Sequence, residues 1–511
     1  MDPGSLTKIN PWKLLLLLLV SFDIQTVRGL WPLPQSISRT PERFSLQPDA
    51  FYFTYGQLSA AQYGCSVLDE AFKRYFPLIF PDYFHKRKLM KLEGRRFLIT
   101  FSYSSIKYVT HYFYVSDNLS VSGSRATLNA ESVWGALRGN NQIYYVNKTD
   151  IQDFPRFPFR GILLDTSRHY LPLQSIFKTL DGMAYSKFNV FHWHIVDDPS
   201  FPYQSRTFQT CLGAYHPMTH VYTQDDVQKV ISYARLRGIR VLPEFDSPGH
   251  TASWGKGTVN LSLSVDPCYR GGSPSGTFGP VNPSLSSTYD FMSKMLKEVS
   301  QVFPDSYIHL GGDEVNFSCW YSNPDVRAFM EKMGFGSDFT KLEAFYMEMI
   351  MNITTALNRT AIVWQDVFDY HEKIPQGTVL HIWKGVPFSY QKELAQITKA
   401  GKKVILAAPW YINHISYGQD WRNYYTVQPL NFTGTEEQKK LVIGVSAEQV
   451  VIIGQLTNCC LLLRPRGCAA AERLWSDEKQ TTSVAKAYPR LNAFRCMLLR
   501  CILYIYVHVS L

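Results

Sequence analysis

Long apolar runs are missing from this chain of 511 residues. The stretch Leu14 to Val20 is apolar, but a spanning helix needs about 20 such residues in succession. No later run reaches that length, so no membrane span is expected. Charge is sparse too, at 18% of residues. The net charge is +10, yet no dense Lys/Arg block and no nucleic-acid motif occurs, which argues against nucleic-acid binding. A diffuse positive surface favours anionic substrates or simply aids solubility. Internal repeats and low-complexity segments are also lacking. With 45% hydrophobic residues the composition is that of a globular protein and does not suggest disorder. Cysteine is scarce and odd in number, nine in all, so at least one thiol is free or pairs elsewhere.

What is present begins with a leader. Lys13 precedes the run Leu14 to Val20, and Val27-Arg28-Gly29 offers small residues for cleavage, so residues 1–29 read as a signal peptide. Secretion fits the sequons at Asn118, Asn147, Asn260, Asn352, Asn358 and Asn431. Asn316 also matches but sits beside an acid pair, and poor modification is expected there. In an oxidising compartment Cys268 and Cys319 are plausible disulfide partners, two unpaired thiols being the alternative.

From Phe159 onward a short apolar run ending in polar residues alternates with an amphipathic stretch. The runs are GILLDTSRH, NVFHWHIVDD, IRVLPEFDSPGH, YIHLGGDEV, AIVWQDVFD, VLHIWKG, KKVILAAPWY and KLVIGVSAE. Strands buried on both faces are nearly continuous in apolar character, and eight strand–helix units predict a parallel (β/α)8 barrel, a TIM barrel. Among the helical patterns, Thr223 with Asp226 resembles a capping box. Residues 30–150 differ. FYFTYG, FLITFSYSS, YVTHYFYVS and NQIYYVN are β-rich, and GCSVLDEAFKRYF is helical, which predicts a smaller α+β domain before the barrel. The barrel is expected over 151–495, with an atypical tail at 496–511.

Active sites of such barrels lie at the C-terminal ends of the strands, where polar residues cluster in this sequence. HLGGDEV places Asp313 and Glu314 side by side after two glycines. Their Cα atoms lie ~3.8 Å apart, whereas ordinary glycosidases set two carboxylates ~5 Å or more apart across the sugar. A neighbouring pair predicts other work: one acid/base, and one residue holding a nucleophile supplied by the substrate. The plain alternative is a solvated Asp-Glu loop, which leaves the barrel position unexplained. HWHIVDD, with His192, His194, Asp197 and Asp198, has metal-ligating residue types, but a hydrogen-bonded barrel interior is the better reading. PEFDSPGH ends in Asp246 and His250, and a histidine near a carboxylic acid tunes or positions it. Trp364 and Trp383 end two further strands and together suit the walls of a pocket.

HLGGDEV, RGILLDTSRHYLPL, NVFHWHIVDDPSFPY, PEFDSPGHT, SGTFGPVNPS, APWYINHISYG and AAAERLWS together resemble family 20 glycoside hydrolases, from Leu30 almost to the C-terminus. The resemblance implies a lysosomal exo-β-N-acetylhexosaminidase that releases terminal GlcNAc or GalNAc with no metal or organic cofactor. It implies substrate-assisted catalysis, in which the acetamido oxygen of the sugar attacks the anomeric carbon. Glu314 would then be the acid/base and Asp313 would orient the acetamido group. Tyr411 would hydrogen-bond its oxygen, and Trp364 and Trp383 would wall the pocket. Arg168 would bind sugar hydroxyls, and Asp197 and His250 would support the acid. Asn413 and His414 occupy the place where alpha-type members accept a 6-sulfate. A homo- or heterodimer with a related subunit is implied, as is an activator protein that presents lipid substrates. The loop RGGSPSG lacks the acidic residue of alpha-type members, which weakens the activator reading. The chain departs from the family after strand eight. Val450 and Ile452 stand where a sugar-binding Trp and Glu are expected, which predicts an impaired catalyst or a glycan-binding subunit as the alternative. The usual partners of Cys65 and Cys496 are missing, and Cys501 lies in the atypical tail.

Overall fold

The computed structural model describes residues 30–46, 48–56, 59, 64–80, 97–103, 116–122, 125–130, 145–208, 215–256, 265–370, 373–385, 390–414, 416, 418–449 and 463–508. The leader, Asn260, Val450 and Ile452 lie outside these residues, and so do residues 108–115 of the run YVTHYFYVS.

Residues ahead of the barrel form a six-stranded sheet from β1 (Ser36–Ser45), β2 (Phe51–Tyr55), β3 (Phe97–Tyr103), β4 (Asp117–Ser122), β5 (Arg125–Ala130) and β6 (Tyr145–Asp153). Its order is β1-β6-β4-β5-β3-β2. β4 alternates buried and exposed residues, so Leu119 and Val121 face inward. There they meet Val67, Leu68 and Ala71 of the helix Ser66–Ile79. Three of these strands, β1, β4 and β5, were not expected. The sequence of β1, SISRTPERFS, carries no apolar pattern and is strand only because it pairs with β6. Pro41 is tolerated because it falls where the register shifts between Arg39 and Arg43.

All eight expected barrel strands form: β7 (Phe159–Asp165), β8 (Val190–Val196), β9 (Arg240–Phe245), β12 (Tyr307–His309), β13 (Thr360–Trp364), β14 (Val379–Ile382), β15 (Lys403–Leu406) and β16 (Val442–Gln449). They close in the order β12-β13-β14-β15-β16-β7-β8-β9, and every pairing is parallel. The structure is therefore a TIM barrel with a smaller domain ahead of it. All seven residues of β7 and of β8 are buried, as strands covered on both faces must be. Phe159, Val190, Leu242, Tyr307, Ile362, Val379, Ile405 and Ile443, one from each strand, pack into a single apolar cluster. Two residues further along their strands, His192, Glu244, His309 and His381 form a polar layer above it. The apolar cluster closes the barrel, and the polar layer is the ground on which a site at the strand ends stands.

Between β9 and β12 a hairpin of β10 (Val265–Arg270) and β11 (Ser273–Val281) carries Cys268. It is disulfide-bonded to Cys319, 51 residues on, as expected. Thr223 and Asp226 make the expected reciprocal capping box of the helix Gln224–Arg235. The last helix runs unbroken from Val484 to His508, across residues 495 and 496. Among the described residues no helix is long and apolar enough to cross a membrane.

Candidate active site

β12 is only three residues long, and the turn at its C-terminal end makes the site. Gly311 and Gly312 take φ of +71° and +92°, a region that favours glycine, and Glu314 itself sits at +51°. The turn is held by Gly311 N–H donating to His309 Nδ1 and Gly312 N–H donating to Asp246 Oδ1, each at 3.1 Å. Adjacent residues of a regular strand would point to opposite faces. The turn cancels that alternation, so Asp313 and Glu314 reach the same place. His250 Nε2 lies 3.6 Å from Asp313 Oδ2 and 3.6 Å from Glu314 Oε2. Asp313 is largely buried, with 16% of its side chain exposed, whereas Glu314 keeps 56% exposed at the mouth.

His250 Nδ1 lies 3.4 Å from Asp197 Oδ1. Burial alone would favour neutral His250, but the carboxyl groups of Asp246, Asp197 and Asp313 hold its imidazole protonated well beyond the usual histidine range. Burial would raise Asp197, but its bonds to His194 and His250 hold it far below the ordinary carboxylate range. Burial, with the Asp313 charge beside it, pushes fully buried Asp246 above that range, and the neighbouring His250 opposes the shift. The loop residue Asp197 also accepts from His194 at 2.8 Å and pairs with Arg168 at 2.8 Å. Asp165, at the end of β7, fixes the other arm of Arg168 at 2.7 Å.

A pocket of about 210 Å³ opens among these groups. Arg168, Asp313 and Glu314 line it, with Trp364 at the end of β13, Trp383 after β14, and Tyr411, Asn413 and His414 after β15. Asp197 and His250 stand behind that lining, in contact with it. All ten expected residues are thus brought together. Trp364 Nε1–H donates to Glu244 Oε1 at 2.8 Å, and its ring stacks on His381 with centroids 4.3 Å apart. Trp383 Nε1–H donates to Asp366 Oδ2 at 2.8 Å. These bonds fix both indoles as walls. Burial, with Glu448 nearby, pushes the Tyr411 phenol well above its usual range, so it remains a donor at all working pH values. Arg466 holds the loop of Asn413 and His414 by donating to the carbonyl oxygens of Ile412 at 2.6 Å and His414 at 3.0 Å.

The site also has members outside those ten. Glu244 joins His192 and His194, each at 2.8 Å, and His309 at 3.3 Å. Leu163 and Glu448 line the pocket itself. The pattern carries a faint signal for them: each faces the barrel interior near the end of an otherwise apolar strand. The groups His192, His309, His381 and His194, Glu244, Asp246 gather ligand-type atoms within 4.8 Å of one another. The Glu244 carboxyl lies within 3.3 Å of three of those histidines, an arrangement that fits a polar barrel interior.

An eight-stranded parallel barrel with paired carboxylic acids and aromatic walls at its C-terminal mouth defines the glycosidase class. A family model described as "Glycosyl hydrolase family 20, catalytic domain" matches residues 157–478, and one described as "beta-acetyl hexosaminidase like" matches residues 30–141. The chain belongs to glycosyl hydrolase family 20. It is 50% identical over 509 residues to the beta-hexosaminidase subunit alpha of Bos taurus, covering 95% of this chain and 94% of the bovine one. It is 50% identical over 493 residues to the beta-hexosaminidase subunit beta of Felis catus, with 92% and 91% covered. Its fold is also that of a Flavobacterium johnsoniae chitobiase, with a TM-score of 0.77 at 24% identity over 92% of this chain and 72% of that one.

Proposed function

We propose that the chain is an exo-β-N-acetylhexosaminidase that removes terminal GlcNAc or GalNAc by substrate-assisted retaining catalysis. One observation carries the mechanism: Asp313 and Glu314 approach the same nitrogen of His250, and the three groups bring atoms within 4.8 Å of one another, closer than the ~5–5.5 Å of a nucleophile–acid pair. They do not flank the anomeric carbon as a nucleophile–acid pair does. The nucleophile is then the substrate's own acetamido oxygen. Glu314 protonates the leaving oxygen and later activates water. Asp313 and Tyr411 hold the acetamido group, with Asp313 offsetting the positive charge that develops on the oxazolinium. Trp364 and Trp383 enclose its methyl, and Arg168 binds hydroxyls. Protonated His250, anchored by Asp197, steadies both acids.

Related proteins named as alpha and beta subunits support assembly as a homo- or heterodimer with a related chain. The leader pattern and the Cys268–Cys319 disulfide support passage through the secretory pathway to the lysosome. Asn413 and His414 at the pocket edge suit a 6-sulfated sugar, and glycolipid, glycan and glycosaminoglycan termini are the substrate class.

The test is a thiazoline derived from N-acetylglucosamine, which imitates the bound cyclic intermediate and is expected to inhibit far more tightly than the sugar. A glycosyl ester trapped on a protein carboxylate would overturn the mechanism. Glu314→Gln is expected to lower turnover of substrates with poor leaving groups by ~10²–10⁴-fold, since an amide donates no acid proton. The sequence change at Val450 and Ile452 favours a second reading, a glycan-binding subunit. Tight thiazoline binding without turnover in the unaltered chain would support it.

A further inference from the structure

Glu448 is given no work by the proposed mechanism, yet it lies in the pocket. It sits near the end of β16 with 1% of its surface exposed. Backbone pairing places it opposite Leu163 of β7 and beside Tyr411, and Ile412 N–H donates to its carbonyl at 3.1 Å. Its carboxyl oxygen Oε1 has no hydrogen-bond partner among the described residues. The nearest histidine nitrogen, His381 Nε2, is 3.5 Å away and is likewise unsatisfied.

Burial pushes the Glu448 carboxyl up to about 8, with the Glu244 charge adding to the shift and the Ser446 hydroxyl opposing it. A neutral carboxylic acid is both donor and acceptor, as a sugar hydroxyl is. A buried polar atom without a partner is costly, and a hydroxyl entering the pocket would satisfy it.

We propose that Glu448 is a substrate-binding residue whose carboxyl group takes one hydroxyl of the terminal sugar at the floor of the pocket. The identity of that sugar rests on the proposed function. The competing role is structural, a core pair with His381.

Calorimetric binding of the thiazoline and its 3-, 4- and 6-deoxy forms to the full chain, Glu448→Leu and Glu448→Gln separates the two roles. In the unaltered chain one deoxy form is expected to bind about tenfold more weakly than the thiazoline itself. In Glu448→Leu the thiazoline weakens by a similar factor, and the penalty for that one missing hydroxyl disappears. Glu448→Gln retains most of the penalty. Equal deoxy penalties in the unaltered chain and in Glu448→Leu would overturn the proposal, because a structural role does not single out one hydroxyl. Glu448→Met repeats the measurement should the leucine variant not fold. Failure of the functional reading gives a different result: the unaltered chain binds no thiazoline, and the assignment to an N-acetylhexosamine falls with it.

Discussion

His250 shows how one residue can be set by its surroundings. Asp197 faces its Nδ1, with Asp198 further out, Asp313 and Glu314 face its Nε2, and the Asp246 charge acts on it as well. Its protonated form is held well above the unfolded value, about 6.5 for a free imidazole. Linkage sets the sign of the effect on stability. A raised folded-state pKa contributes stability in full below the unfolded pKa, and that stability is lost as pH rises through the folded pKa. The melting temperature of the unaltered chain should therefore fall between pH 6.5 and pH 9 more steeply than that of His250→Gln. The difference between the two chains should be largest at acid pH. Parallel pH profiles would mean that His250 is not held protonated. Sequence showed that His250 and Asp197 matter but not what unites them with Glu244. Its partners His192, His309 and Trp364 come from three other strands, and no local spacing encodes such a meeting.

The turn after β12 is the element on which the chemistry depends. It was legible because a Gly-Gly pair before two acids is a backbone statement as much as a chemical one. A Cβ on Gly311 would fall 1.6 Å from Asp246 Oδ1, and one on Gly312 would fall 2.5 Å from Val367 Cγ2. Gly334, the left-handed cap of the helix Pro324–Met333, has nearly the same φ, +72°, with nothing within 4 Å of an added Cβ. The two positions separate conformational strain from collision. Gly334→Ala should lower stability by about 1 kcal/mol and leave kcat/KM unchanged. Gly311→Ala should lower kcat/KM by at least ~10²-fold, because a shift of the acid pair of about 1 Å is costly in catalysis. Equal activities in the two variants would remove the turn from the mechanism. The β1 strand shows the opposite case. It escaped reading because its residues satisfy no period of their own and its partner β6 begins a hundred residues later.

At the scale of the molecule, the first and last described segments meet on one buried carboxylate. Glu472, in the helix Cys468–Trp475, has a fully buried side chain. Its Oε1 accepts from Leu33 N–H at 3.0 Å and from Arg490 at 2.5 Å, and its Oε2 accepts from Tyr425 O–H at 2.8 Å and Arg490 at 2.9 Å. Arg490 in turn lies over the Trp31 ring at 5.0 Å, and Trp31 Nε1–H donates to the Cys468 carbonyl at 2.9 Å. Close by, Asp153 at the end of β6 accepts from Lys187 at 2.5 Å and from Trp475 Nε1–H at 2.7 Å, which ties the smaller domain to the barrel. The lead-in to β1, the barrel wall and the last helix are thus fastened together by charges largely shielded from water. Such a pair is dangerous to break and less costly to replace, because removing one partner leaves the other charge buried alone. Glu472→Ala should destabilise the chain by about 3–5 kcal/mol in denaturant unfolding. Glu472→Leu combined with Arg490→Met should recover a large part of that loss, although it removes more polar groups. If the double change is as damaging as the single one, the Leu33 and Tyr425 bonds, rather than the stranded guanidinium, carry the cost.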